Sequence, residues 1–264
     1  MEFDVLLPTV VFFLAAMSVL MYRKLMPKIT PLFEDRKFST RDAVLIVVAM
    51  GLVVTVMALV PSRAIQLVFI VAYSYMMFSF TYIAVRKWYL AILPTIAFVL
   101  LYQFYWRLLI LNLFVAVFAI MIPIYLGVLF SWKTTLVFAG LLTIMDIIQV
   151  FGTRFMGELA TKTIELKLPV LLMLPAYPAD ATIVLGLGDL FLAGLLAVQT
   201  ALRDGQKAGF LTAALVGIAV FVFEVALFNT SFFTFFPATI VVIAGWIAGM
   251  GIARLVHLGK PRPS

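Results

Sequence analysis

A chain of 264 residues that is 65% hydrophobic and only 12% charged, with a mean hydropathy of +1.19, has too few polar residues to coat a soluble domain. The composition excludes an ordinary globular protein and indicates a polytopic membrane protein, so the net charge of +7 reads as a topology signal and contact with anionic lipid, not nucleic-acid binding. Cysteine is absent, which excludes disulfides and thiolate metal sites, and one histidine, His257, leaves no histidine-rich metal or proton site.

Nine apolar runs are long enough to cross a bilayer, at roughly 5–22, 43–60, 64–85, 88–106, 108–130, 134–151, 182–201, 208–228 and 236–256. The first follows Glu2 and Asp4 rather than basic residues, so it reads as a retained helix and not a signal peptide. Trp88, Trp106 and Trp132 fall at predicted helix ends, where an aromatic belt belongs. With the N-terminus outside, fourteen of the 19 Lys and Arg fall in cytoplasmic segments, including the basic loop at 23–41. Arg63, Arg107, Arg154, Lys162 and Lys167 fall outside, and this bias predicts an N-out, C-in orientation. No repeat or soluble domain is visible, so residues 1–264 read as one all-α, membrane-embedded bundle.

Three carboxylates lie well inside these spans: Asp146, Asp189 and Glu224. Burying each is costly, so an intramembrane acid is read first as functional. The sixth helix runs outward and ends near Phe151; the seventh runs inward from about Thr182. At 1.5 Å per residue, Asp146 and Asp189 then lie roughly 8 and 10 Å below the same surface. Two carboxylates at one level can share a proton, the charged one activating water while the neutral one polarises a carbonyl. Gly186 and Gly188 lack side chains and let a neighbouring helix or a substrate backbone approach Asp189. The competing reading is that the acids only lock the bundle through hydrogen bonds.

Residues 152–181 form the longest outside connection. Gly152 can cap the sixth helix, and 154–166 fits a short amphipathic helix lying at the interface. The run "LPVLLMLPAYP" that follows is too short to span and is bounded by Pro169, Pro175 and Pro178, which confine it to an extended or edge-strand segment. Val170, Leu171 and Leu172 are therefore candidates for an exposed edge on which a peptide adds as a strand; the alternative is a re-entrant plug. In the eighth helix, Glu224 lies near the outer end, within reach of water. In the ninth, Pro237 frees backbone groups on the side of the acids, and Gly245 and Gly249 mark close helix packing. "NTS" at 229–231 fits a glycosylation sequon in a short loop.

"MDIIQVFGTRFM", "LPVLLMLP", "LGLGD" and "FPAT" together resemble the GxGD intramembrane aspartyl proteases, the family of presenilin and signal peptide peptidase. The likeness covers about 146–194 and 236–240, and its "VFGT" and leucine-flanked "LGLGD" are closer to the signal-peptide-peptidase branch. It implies a presenilin-like nine-helix bundle, with residues of about 5–130 as scaffold and about 134–256 as the catalytic part. It implies Asp146 and Asp189 as the catalytic pair, with Gly186, Leu187 and Gly188 shaping the site. Pro237 and Ala238 correspond to the start of the family's Pro-Ala-Leu motif. The chain departs from the pattern at Met145, where the family has tyrosine, and at Thr239, where it has leucine. The short chain is similar to microbial, archaeal members, and the resemblance implies a cell-membrane enzyme.

The expected function is intramembrane aspartic endopeptidase cleavage of transmembrane or signal-peptide segments, with no metal or organic cofactor and with lipid as the other partner. A proton-coupled transporter using Asp146, Asp189 and Glu224 is the alternative. No inverted repeat or matched pair of broken helices supports the latter. A silent signal-peptide-binding protein is a third reading, allowed by Met145 and Thr239.

Overall fold

Ten α-helices and one two-stranded sheet make up the described residues of the computed structural model, which are 2–33, 37–153, 155–179, 181–230 and 236–256. Arg36, Arg154, Ser231, His257, Lys260 and Arg262 lie outside them. Helix α1 (Leu6–Phe33) continues well past its predicted end at 22, so Arg23, Lys24 and Lys28 sit on a helix rather than a loop. Helix α2 (Thr40–Leu59) opens with a capping box, in which Ser39 and Asp42 each accept the other's backbone N–H. Helices α3 (Ser62–Val85), α4 (Trp88–Phe104) and α5 (Leu108–Leu129) follow within a residue or two of their predicted bounds, and α6 (Trp132–Ile147) ends four residues before its predicted end at 151. A π-helical turn (Ile148–Gly152) ends α6, and α7 (Phe155–Glu165) is the expected short amphipathic helix. Gly152 therefore belongs to the π turn instead of capping a regular helix; it precedes Thr153, whose N–H bonds to the Ile148 carbonyl at 2.9 Å.

The seventh predicted helix does not begin at 182. Strand β1 (Leu171–Pro175) pairs with strand β2 (Thr182–Gly186), and only then does α8 (Leu187–Asp204) start. Thr182, Ile183 and Val184 are β-branched and fit a pleated strand better than a helix start. Helices α9 (Gln206–Thr230) and α10 (Ala238–Leu255) complete the chain order.

Among the described residues, seven helical stretches are long and apolar enough to cross a membrane. The other two expected spans exist as helices but fall short of that description: α4 has 17 residues, and α8 carries Asp189, Arg203 and Asp204 within its 18. The chain is thus a helical, membrane-embedded protein, and its outer helices α2 and α3 turn large apolar side chains such as Leu45, Leu52, Leu67 and Val71 outward.

The centre of the bundle is α8. Every residue from Leu190 to Thr200 is buried, enclosed by α1, α5, α9 and α10. Its two polar core residues are satisfied: Gln199 Nε2 donates to the carbonyls of Gly127 and Phe130, and Thr200 Oγ1 accepts from Trp246 Nε1 at 3.0 Å. Helix α10 closes on α9 as the glycine spacing predicts. A Cβ at Gly245 would lie 2.6 Å from Val216 Cα, and one at Gly249 would lie 2.9 Å from Thr212 Cα.

Candidate active site

Helix α6 is started by Ser131, whose side chain accepts the Thr134 N–H, and it buries Thr135, Phe138, Ala139 and Leu142 along one stripe. Asp146 is the next residue on that stripe, at a position where the helical period calls for an apolar side chain. It is 8% exposed. Directly beyond it the helix widens into the π turn, a distortion that tends to occur at functional sites. The turn brings Gln149 inward, where its Nε2 donates to the Gly51 carbonyl of α2 at 3.3 Å. Gly51 also receives Met145: a Cβ there would lie 2.5 Å from Met145 Cε. The departure at Met145 is thus matched by a glycine on the facing helix.

Asp189 reaches the same place from the other side. Strand β2 runs into α8 without a loop, Gly186 serving as the extended N-cap residue, so Asp189 falls in the helix's first turn. Its carboxylate folds back over the strand end, and a Cβ on Gly186 would meet Asp189 Oδ2 at 3.0 Å. A Cβ on Gly188 would meet nothing within 4 Å, which leaves that side of Asp189 open. Asp146, Asp189, Gly186 and Gly188 line one cavity of about 100 Å³, closed by Gln149 and Thr239. That is room for several waters, each needing on the order of 10–15 Å³ of such space. The two carboxylates are within electrostatic reach of one another.

The third contributor is α10. Pro237 is its N-cap residue and supplies no side-chain cap, and Ala238 is its first residue. Thr239 is buried, and its Oγ1 donates to Asp146 Oδ2 at 2.8 Å. Of the residues expected from sequence, the structure brings Asp146, Asp189, Gly186, Gly188 and Thr239 together around the cavity. Leu187, Pro237 and Ala238 flank it in the chain without lining it. Gln149, Met50, Gly51 and Val54 line it and were not anticipated.

The expected edge at Val170, Leu171 and Leu172 is not free. Leu172 and Met173 are buried, because the segment is clamped to the bundle: Tyr73 donates to the Pro169 carbonyl at 2.6 Å and Trp106 Nε1 to that of Lys167 at 2.7 Å. The register sets Leu172 opposite Leu185, Met173 opposite Val184 and Leu174 opposite Ile183. Flanking bonds from Leu187 N to Val170 O and from Ala176 N to Ala181 O fix its phase. In an antiparallel ladder of that phase, the backbone groups of Leu171, Met173 and Pro175 point away from β2, and those of Thr182, Val184 and Gly186 point away from β1. Asn112 of α5 occupies the outer side of Met173. Among the described residues nothing pairs with the outward N–H and C=O of Val184, which is 38% exposed. The open edge belongs to β2, and it ends at Gly186 in the cavity.

Glu224 is also placed otherwise than expected. It does not reach water: it is 4% exposed, away from the cavity, and neither carboxylate oxygen has a hydrogen-bond partner. It lies within electrostatic reach of Asp4. Asp4 is fully buried and accepts the N–H groups of Leu6, Leu7 and Tyr177 at 2.7–3.0 Å, tying the start of α1 to the corner after β1. Sequence reading took Asp4 only as part of an acidic N-terminal flank; its spacing before Leu6 and Leu7 is that of a helix N-cap.

Compared with models of known protein families and with curated proteins, the chain matches none.

Proposed function

We propose that this protein is an intramembrane aspartic endopeptidase that hydrolyses peptide bonds of transmembrane or signal-peptide segments, similar to the signal-peptide-peptidase branch of the GxGD proteases. In this reading all nine helices span, α4 and α8 included, with the N-terminus outside. The observation that carries it is the placing of Asp146 and Asp189 on one small cavity inside an apolar bundle, with an unpaired strand edge leading into that cavity at Gly186.

The chemistry follows from one proton on two carboxylates. The ionised acid takes a proton from a cavity water as the water attacks the scissile carbonyl carbon. The protonated acid donates a hydrogen bond to the carbonyl oxygen, stabilising the charge that develops there. When the tetrahedral intermediate collapses, the C–N bond breaks and the proton taken from water passes to the leaving nitrogen. A helical substrate hides its carbonyls in its own i to i−4 bonds and must unwind first. Unwinding leaves donors and acceptors unpaired in lipid, at several kcal/mol each. The outward N–H and C=O of Val184 offer partners for an extended substrate, whose next residues then lie beside Gly186 and the acids.

Glu224 lies away from the cavity, so the three carboxylates do not form one relay of the kind a proton-coupled transporter needs. The deciding experiment is cleavage of a transmembrane peptide by purified protein. Wild-type protein should cleave, and Asp189→Asn should not. Absence of cleavage by the wild type, combined with proton flux in proteoliposomes, overturns the proposal in favour of transport.

A further inference from the structure

The threonines of this chain show what a helical hydroxyl ordinarily does. Thr55, Thr95, Thr135, Thr143 and Thr200 each donate back to the carbonyl four residues earlier in their own helix. That is the default partner, because the carbonyl is always within reach. Thr239 differs because it stands in the first turn of α10, where the residue four positions back precedes the helix. Its hydroxyl proton goes across to Asp146 Oδ2 at 2.8 Å.

The same carboxylate meets the end of α10. Pro237 leaves the first-turn N–H groups without a side-chain cap, and the Thr239 hydroxyl holds the Asp146 carboxylate beside that end of α10. An anion at a helix N-terminus satisfies those orphan donors and is favoured by the helix dipole. Asp146 thus lies at the N-terminal end of α10, held there through the Thr239 hydroxyl. Asp189 receives no hydrogen bond from another residue among those described, sits against Gly186, and faces the charge of Asp146. Apart from Asp189, no titratable or charged group among the described residues lines the cavity beside Asp146. Helix α2 contributes Met50, Gly51 and Val54, and α6 itself contributes Leu142, Met145 and Gln149.

We infer that Thr239 is a positioning residue that sets the charge distribution of the pair, holding Asp146 as the ionised, water-activating carboxylate and leaving the shared proton on Asp189. This rests on the protease reading for its consequence, though not for the proton placement itself. A hydroxyl donor favours the charged form of the acid it faces. Leucine, which the family the chain resembles carries at this place, has no such donor.

Two measurements test it. The first is the pH profile of kcat/KM for peptide cleavage, whose acid limb reports ionisation of the base. Thr239→Val keeps the shape and removes the donor, and it should move that limb to higher pH by about one unit, with roughly tenfold less cleavage on the acid side. Thr239→Ser should return the wild-type limb. An unmoved limb in an active Thr239→Val enzyme, or a Thr239→Ser enzyme that behaves like it, overturns the inference while leaving the protease reading intact. The second needs no activity: in an Asp189→Asn background Asp146 is the pair's one remaining carboxyl, and the pH at which its protonated C=O band appears is read by infrared difference against Asp146→Asn/Asp189→Asn, which cancels the buried Glu224. Adding Thr239→Val to Asp189→Asn should bring that band in at a pH about one unit higher; an unmoved band overturns the inference. A wild type that cleaves nothing defeats the protease reading, and the infrared result still decides whether Thr239 holds Asp146 ionised.

Discussion

Asn112 spans both hydrogen-bonding groups of Met173, accepting from its N–H at 3.0 Å and donating to its carbonyl at 2.7 Å. A side-chain amide here stands in for the neighbouring strand that β1 does not have. The sheet is thereby fixed to α5 on one side and left open on the other. Asn112→Leu should leave a buried N–H and C=O unpaired, costing roughly 1–3 kcal/mol for each. Thermal unfolding of the purified protein should show the loss, with Asn112→Asp, which keeps the acceptor, falling in between. Unchanged stability in Asn112→Leu would mean that β1 is not anchored through this contact.

The open side makes a sharper prediction. Val184 sits in a pair whose backbone groups point outward, so Val184→Pro deletes only the unpaired N–H and leaves the β1–β2 ladder whole. It should reduce peptide cleavage more than tenfold at nearly unchanged melting temperature. Val184→Thr, still β-branched, should matter little. Leu172→Pro is the contrast: Leu172 faces Leu185 in a mutually bonded pair, so that change should damage stability and cleavage together. Full cleavage by Val184→Pro rules out substrate pairing on β2.

What the sequence makes visible follows from what is local. Asp146 interrupts an apolar stripe of helical period, and the prolines around 169–178 forbid a helix there, so both the acid and an extended segment are legible. Strand β2 is not. In "TIVLGLGDLFL" no polar side chain stands between Ile183 and Gly188, where strand passes into helix, and period alone cannot separate the two halves; only pairing with β1 does. Asp146 and Asp189 nonetheless meet on one cavity, as their similar depths lead one to expect, because Asp146 lies in the last turn of α6 and Asp189 in the first turn of α8. The role of Thr239 depends on α10 meeting α6 across 93 positions of chain, and no spacing rule reaches that far.

In the proposed mechanism Asp146 and Asp189 perform one task, so their substitutions should not add. Asp146→Ala and Asp189→Ala should each remove cleavage almost entirely, and the double variant should be no worse than either. The proposed working state holds one proton on two acids, so the pH profile of the wild type should be bell-shaped, its limbs belonging to the pair. A single variant with substantial residual activity, or a profile with one limb only, would separate the two residues mechanistically.

Asp4 and Glu224 are neighbours with opposite accounts. Asp4 holds three backbone N–H groups, so removing it strands donors at the start of α1 and at Tyr177. Asp4→Ala should therefore lower the melting temperature, by an amount equivalent to roughly 1–3 kcal/mol. Glu224 holds nothing, and its burial on α9 gives up hydration for no hydrogen bond. Replacing an unpartnered buried polar group by an apolar one of similar volume removes that cost, so Glu224→Met should be neutral or stabilising and Glu224→Gln close to neutral. Neither should reduce cleavage by more than a few-fold, since Glu224 is not among the residues lining the cavity. Thermal unfolding and peptide cleavage, measured on the same preparations, separate the outcomes. A large loss of stability in Glu224→Met would reveal a partner for the carboxylate. Complete loss of cleavage in a well-folded Glu224→Gln protein would bring a third carboxylate into the mechanism and restore the case for a proton relay.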